Sequence, residues 1–251
     1  MEDFEKNKFI YSAVFPFIFV LVIVLVKIVE LYFDTSFVRM GILPRDFLGL
    51  KGVLLAPFIH GDWNHVFNNS LPLLILGWAL FYFYRCLATK VILFSFLLAG
   101  LYTWISARTA YHIGASGLVY ALFGFLFISG FLRKYVPLVA LSFLVAFLYG
   151  SLIWGILPWD KSISWEGHFW GLFIGLVLAI IYRKQGPQRK VFVWPEEDEE
   201  EEDALGEYVD FKEEVAKPSK VEFKSPEMLY HYVPAKSRSS KPVDGSSKPK
   251  T

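Results

Sequence analysis

Long apolar runs separated by short polar joints fill the first three quarters of the chain. Crossing the hydrocarbon core takes about 20 mostly apolar residues in a helix. The run Phe9–Phe33 supplies one such span, with Lys27 and Glu30 near one end. It is too long for a secretory leader and has no small-residue cleavage site. Five more runs follow at Val66–Tyr84, Val91–Ile105, Gly114–Leu132, Val136–Leu157 and Ser164–Tyr182. Lipid offers no hydrogen-bond partner to a free backbone group, so each run is expected to be a helix. The charged joints Arg85–Lys90 and Arg133–Tyr135 set neighbouring spans apart. The pattern therefore predicts an all-α, polytopic membrane protein, a six-transmembrane-helix bundle over residues 9–183 preceded by a short cytoplasmic segment, residues 1–8.

Two regions depart from this rhythm. The loop from Asp34 to Asn64 is partly apolar (Val53-Leu54-Leu55). It fits equally a segment resting in the membrane interface and a packed outer loop. Residues 184–251 are rich in Glu, Lys, Ser and Pro, and eight consecutive acids run from Glu196 to Asp203. Such a run repels itself and cannot build a core, so this segment is expected to be a mostly disordered cytoplasmic tail. Tyr208–Phe211 and Met228–Val233 are its candidate docking pieces for a cytoplasmic partner.

Composition agrees. The 251 residues are 55% hydrophobic and 18% aromatic, and mean hydropathy reaches +0.42 in spite of the polar tail. The single cysteine, Cys86, excludes an intrachain disulfide and a multi-cysteine metal site. No cofactor, metal or nucleic-acid partner is expected. Lys and Arg orient the bundle. With a cytoplasmic N-terminus the inner side holds Lys6, Lys8, Arg85, Lys90, Arg133, Lys134, Arg183, Lys184, Arg189 and Lys190, against Arg39, Arg45, Lys51, Arg108 and Lys161 outside; the long first loop dilutes the contrast, and the short loops follow it. Both termini are then expected on the cytoplasmic side of a plasma (inner) membrane.

Polar residues inside the spans carry the candidate chemistry, because lipid makes them costly. His60, His65 and Asn69 cluster at the start of the second span, Ser116 opens the fourth, and His168 opens the sixth. In the deduced topology these three spans run the same way, which puts the three groups at one depth. From Ser116 to Leu132 a helix rises roughly 25 Å against a core of about 30 Å, so the serine is expected several ångströms below the surface. A serine needs a base to become a nucleophile, and burial favours the neutral His168 that can serve. His65 and Asn69, four apart on one helix face, offer donors for an oxyanion, with the Ser116 N–H as a third. Glu166, two residues before His168, falls on the wrong side of the helix, so a dyad is expected rather than a triad. His112, four residues before Ser116, is the rival base. Ser116 also fails the G-x-S-x-G elbow, since position 118 is Leu. Small residues in membrane helices are usually packing residues, and Ser116 alone carries little weight.

The ordered set resembles the rhomboid family of intramembrane serine proteases. It comprises His60…His65…Asn69, Gly114-Ala-Ser-Gly117 and Gly167-His-Phe-Trp-Gly-Leu-Phe-Ile-Gly175 on six spans. The resemblance implies a rhomboid-like bundle that cleaves transmembrane protein substrates, within membrane lipid, near the outer end of their helices. It implies Ser116 as nucleophile, His168 as base, His65 and Asn69 at the oxyanion, and His60 in support. Tyr120 would hold the His168 ring, while Gly114, Gly117, Gly171 and Gly175 would allow close backbone approach. Two family features are missing: no Trp-Arg pair stands in the first loop, and Phe81 occupies a position on the second span where many members carry Glu.

Three other readings compete. A catalytically inactive relative that binds or escorts membrane clients would usually lack the serine or the histidine. A metal enzyme built on His60, His65 and His168 lacks the H-E-x-x-H spacing. A transporter would show acids or internal repeats in its spans.

Overall fold

The structure is a computed structural model, and it describes residues 2–160 and 162–189. Lys161 and everything from Lys190 onward lie outside the described residues, including the acidic run, His231 and the two candidate docking pieces of the tail. Among the described residues there are six long helices and no strand: α1 (Glu2–Tyr32), α2 (Trp63–Phe83), α3 (Arg85–Ser106), α4 (Ser116–Arg133), α5 (Val136–Tyr149) and α6 (Trp165–Ile181). Five segments are long and apolar enough to cross a membrane: Asp3–Tyr32, α2, α3, α4, and α5 together with its continuation to Ile156. The sixth, α6, is also apolar but has 17 residues. The protein is an integral, multi-pass membrane protein of helical architecture.

Helix boundaries differ from the hydropathy pattern in three places, each for a physical reason. Arg85–Lys90 is no joint but the opening of α3, and Tyr84 alone links it to α2. Charge marks where a helix leaves lipid, not where it ends, and Arg, Leu, Ala and Lys are sound helix formers. The fourth helix starts at Ser116, not Gly114, whose φ of +102° is closed to a right-handed helix. The fifth run is α-helical only to Tyr149 and tightens into a 3₁₀ segment over Gly150–Ile156. That tightening brings the Gly155 carbonyl to the site described below.

α4 is the central helix, in contact with α2, α3, α5 and α6, and its most extensive partner is α6. Small residues make that contact close. A side chain at Gly171 would run into the Gly117 carbonyl, one at Gly175 into the Ala121 carbonyl, and one at Gly124 would meet the Leu172 carbonyl. Backbone packing of this kind is how small residues hold membrane helices together where no hydrophobic effect separates helix from lipid. α1 lies against α2, its Pro16 ring seated over Gly77.

The 34–62 loop folds into short helical turns at Val38–Met40, Phe47–Lys51, Gly52–Leu55 and Ala56–Phe58. It is both docked and apolar at its surface. Val53 and Ala56 are buried, with Val53 set against Gly100 of α3, while Phe47 and Leu48 are 82% and 75% exposed. A two-way backbone bridge between Ile42 and His112 ties this loop to the one before α4.

Candidate active site

Ser116 is the first residue of α4, and His65 and His168 lie in the first turn of α2 and of α6. The three parallel helices bring these ends together around one cavity of about 660 Å³, lined by His65, Asn69, Ser116, Tyr120, His168 and Arg108 among others. At 18 and 17 residues, α4 and α6 rise about 27 and 25 Å, short of a hydrocarbon core of about 30 Å.

The Ser116 Oγ stands 2.8 Å from His168 Nε2, and His168 Nδ1 stands 2.9 Å from the Gly155 carbonyl oxygen. A carbonyl only accepts, so the second contact requires a proton on Nδ1. The neutral ring then presents a lone pair at Nε2, and the Ser116 hydroxyl donates to it. Tyr120 lies flat against the imidazole, ring centres 4.2 Å apart and planes within 8°. Its hydroxyl fills the space that a side chain at position 155 would need. His168 is therefore held by a backbone carbonyl on one edge and an aromatic face on one side, and its ring hydrogen bonds among the described residues are to Gly155 and Ser116, neither a carboxylate.

Glu166 is engaged elsewhere. It takes Arg108 Nη1 at 3.2 and 3.0 Å on its two oxygens and the Arg108 N–H at 3.3 Å. Arg108 also donates to the Ile163 carbonyl at 2.7 Å, so this pair clasps the loop before α4 to the start of α6. His112 belongs to the same clasp. Its Nε2 donates to the Arg108 carbonyl at 3.1 Å, which leaves Nδ1 to accept from the Ser164 hydroxyl at 2.6 Å. Both of its ring nitrogens are thus committed away from Ser116. Burial lowers the proton affinity of His112, and the Arg108 carbonyl partly opposes this.

On the opposite wall, His65 and Asn69 face Gly114. Any side chain there would meet His65 Nε2, and Asn69 Nδ2 lies just beyond. Position 114 thus needs glycine twice, for its positive φ and for this approach. Asn69 Nδ2 donates to the His65 carbonyl at 3.0 Å, one of its two N–H bonds. The Gly61 N–H donates to His65 Nδ1 at 3.4 Å, which makes Nε2 the protonated nitrogen. His60 is 1% exposed, its ring centre 4.7 Å from that of His65, and its Nε2 accepts from the Ala115 N–H at 3.4 Å. Burial, and then the neighbouring His65, push His60 down to about 4, so it is neutral at physiological pH.

A family model described as Rhomboid domain matches residues 49–185, more than half of the chain, and the match takes in His60, His65, Asn69, Ser116, Tyr120, Gly155 and His168. The chain belongs to the rhomboid family. Within that family it is similar to a protein of Mycobacterium tuberculosis (strain H37Rv) described as uncharacterized, at 35% identity over 185 residues, 68% of this chain and 75% of that one. The same identity and coverage hold for a protein of Mycobacterium bovis with the same description. An uncharacterized protein of Mycobacterium leprae is 31% identical over 151 residues, 56% of this chain and 59% of its own.

Two features at or beside the candidate site were missed by sequence reasoning. One is the Gly155 carbonyl, which no side-chain pattern can announce. The other is Lys27, whose ammonium reaches the carbonyls of His60 and Gly61 at 3.1 and 2.9 Å. A charge inside a span was its signal, and the partner was not readable from order along the chain.

Proposed function

We propose that the chain is an intramembrane serine endopeptidase that cuts transmembrane protein substrates with a Ser116–His168 dyad. The observation that carries this reading is the 2.8 Å contact between Ser116 Oγ and His168 Nε2, with the Gly155 carbonyl on the far nitrogen. Membership of a family whose members are generally intramembrane serine proteases supports it.

The steps follow from the hydrogen-bond roles. The Ser116 oxygen attacks the scissile carbonyl carbon as its proton passes to His168 Nε2. The resulting oxyanion accepts from His65 Nε2–H, from the second amide N–H of Asn69 and from the Ser116 N–H. The last has no partner within its own helix, because the first N–H groups of any helix lack one. The positive end of α4 adds to this field. The C–N bond then breaks, and the leaving amine takes the proton from His168 Nε2. A water molecule, deprotonated at the same nitrogen, cleaves the acyl-serine, and the proton returns to the Ser116 oxygen. Throughout, Gly155 and Tyr120 keep the imidazole in one tautomer and one plane.

The Lys and Arg distribution favours both termini on the cytoplasmic side of a plasma (inner) membrane, and so a site near the outer face. Residues 184–251 would then be a cytoplasmic segment available to a partner there. Ser116→Ala and His168→Ala are each expected to lower cleavage of a model transmembrane substrate on the order of a thousandfold or more while leaving thermal unfolding unchanged. Cleavage that survives Ser116→Ala contradicts the reading.

A further inference from the structure

The first helix carries a buried ion pair that the acyl-transfer steps do not use. Lys27 and Glu30 are 9% and 3% exposed, and the Lys27 Nζ lies 3.1 Å from Glu30 Oε2. α1 precedes the region matched by the rhomboid domain, which begins at residue 49. Charges inside a membrane span are costly and call for a reason.

All three ammonium protons are committed: one to Glu30, one to the His60 carbonyl at 3.1 Å and one to the Gly61 carbonyl at 2.9 Å. Glu30 is fixed in turn, since its Oε1 accepts from the Phe37 N–H at 2.6 Å. The His60 carbonyl and the Gly61 N–H are the two ends of one peptide unit, whose N–H is the donor to His65 Nδ1. A cation on the carbonyl end polarises that unit and strengthens its N–H as a donor. At 3.4 Å the Gly61–His65 contact is long for a hydrogen bond, and a long bond has room to gain from a stronger donor.

We propose that Lys27 is a positioning residue for His65: by holding the His60–Gly61 peptide, it keeps the His65 proton on Nε2, where it faces the reacting carbonyl. The proposal rests on His65 as an oxyanion donor. In the other tautomer, the Nδ1 proton would oppose the Gly61 N–H, and Nε2 would offer a lone pair to a developing negative charge. Hydrogen-bonded partners of this kind select a histidine tautomer. Lys27 would thus act on the oxyanion two contacts away, with Glu30 as its counter-charge in the low-dielectric surroundings.

The test combines ring spectroscopy with a double-mutant cycle. In the unmutated protein, 15N NMR of labelled histidine is expected to find His65 protonated at Nε2, and the Nδ1–H form would overturn the proposal. Lys27→Met is expected to shift the ring toward Nδ1–H and to lower kcat about tenfold, roughly 1.4 kcal/mol, with KM within about twofold. In the His65→Ala background the same change is expected to cost nothing further, because its route is gone. An equal loss of kcat in that background overturns the proposal, as does an unmoved His65 ring in Lys27→Met. Should Lys27→Met fail to fold, Lys27→Gln, which keeps a neutral donor, is expected to give the same pattern with a smaller loss. The ring measurement needs no turnover, so its outcome is independent of whether Ser116→Ala abolishes cleavage.

Discussion

Among single residues, histidines differ most in what their surroundings make of them. His168 and His65 take the parts of base and donor in the proposed mechanism because each has one nitrogen fixed by backbone, the Gly155 carbonyl for one and the Gly61 N–H for the other. His112, four residues from Ser116 in sequence, has both nitrogens taken by Ser164 and Arg108. His60 supports the loop before Ser116, and its titration has a consequence for stability. Its folded value of about 4 lies below the ordinary 6.5, so between those limits the unfolded chain binds the extra proton. The contribution of His60 to stability is therefore complete above about 6.5 and is lost as pH falls toward 4. The apparent Tm is expected to fall over this range, and to fall less steeply in His60→Gln, measured by thermal unfolding in detergent at stepped pH. Equal slopes for the two proteins would contradict this assignment. Ser116, Asn69 and the histidines could be singled out from the sequence because polar groups stand out against apolar spans. Gly155 and Lys27 could not, since their roles arise from a carbonyl orientation and from the docking of α1 beside the 34–62 loop.

At the scale of helices, the contact between α4 and α6 sets the distance between Ser116 and His168. It depends on Gly117 and Gly171, where carbonyl and α-carbon meet without a side chain between them. Gly171→Ala is expected to cost about 1–3 kcal/mol through overpacking and to slow cleavage by moving His168 off Ser116. Thermal unfolding and the cleavage rate check this together, and a variant with native values in both would contradict it. The glycine spacing was legible in the sequence, as were the existence and order of the helices. Where they end was less so. Arg133 illustrates the reason. Its place in a charged joint marked it as a cation at the membrane surface, yet it is buried. It donates to the backbone carbonyls of Tyr182 and Gln185 at 2.8 and 3.0 Å and to Ser129, and it lies over the Tyr84 ring. It caps the C-terminal end of α6. Arg133→Met is expected to lower stability by on the order of 2–3 kcal/mol through these charge-assisted bonds, seen as a lower unfolding temperature. An unchanged Tm would count against the cap.

Across the whole molecule, three parallel helices, α2, α4 and α6, contribute their starts to one polar cavity. The loop before α4, the 34–62 loop and the start of α6 are tied over it by Arg108–Glu166, His112–Ser164 and the Ile42–His112 bridge. That gathering of three helix starts around one cavity could be deduced from topology, because spans that alternate in direction put every second start on the same side. The clasp itself could not, since it joins residues far apart in the chain whose pairing follows from how the helices pack. One chemical claim underlies the proposed activity, that Ser116 is a nucleophile activated by His168 inside the membrane. The most direct test is labelling of the full chain, in detergent or liposomes, with a mechanism-based fluorophosphonate, followed by peptide mass mapping. A single adduct on Ser116 is expected, absent in Ser116→Ala and strongly slowed in His168→Ala. A preparation that cleaves a transmembrane substrate yet carries no adduct on Ser116 would contradict the dyad.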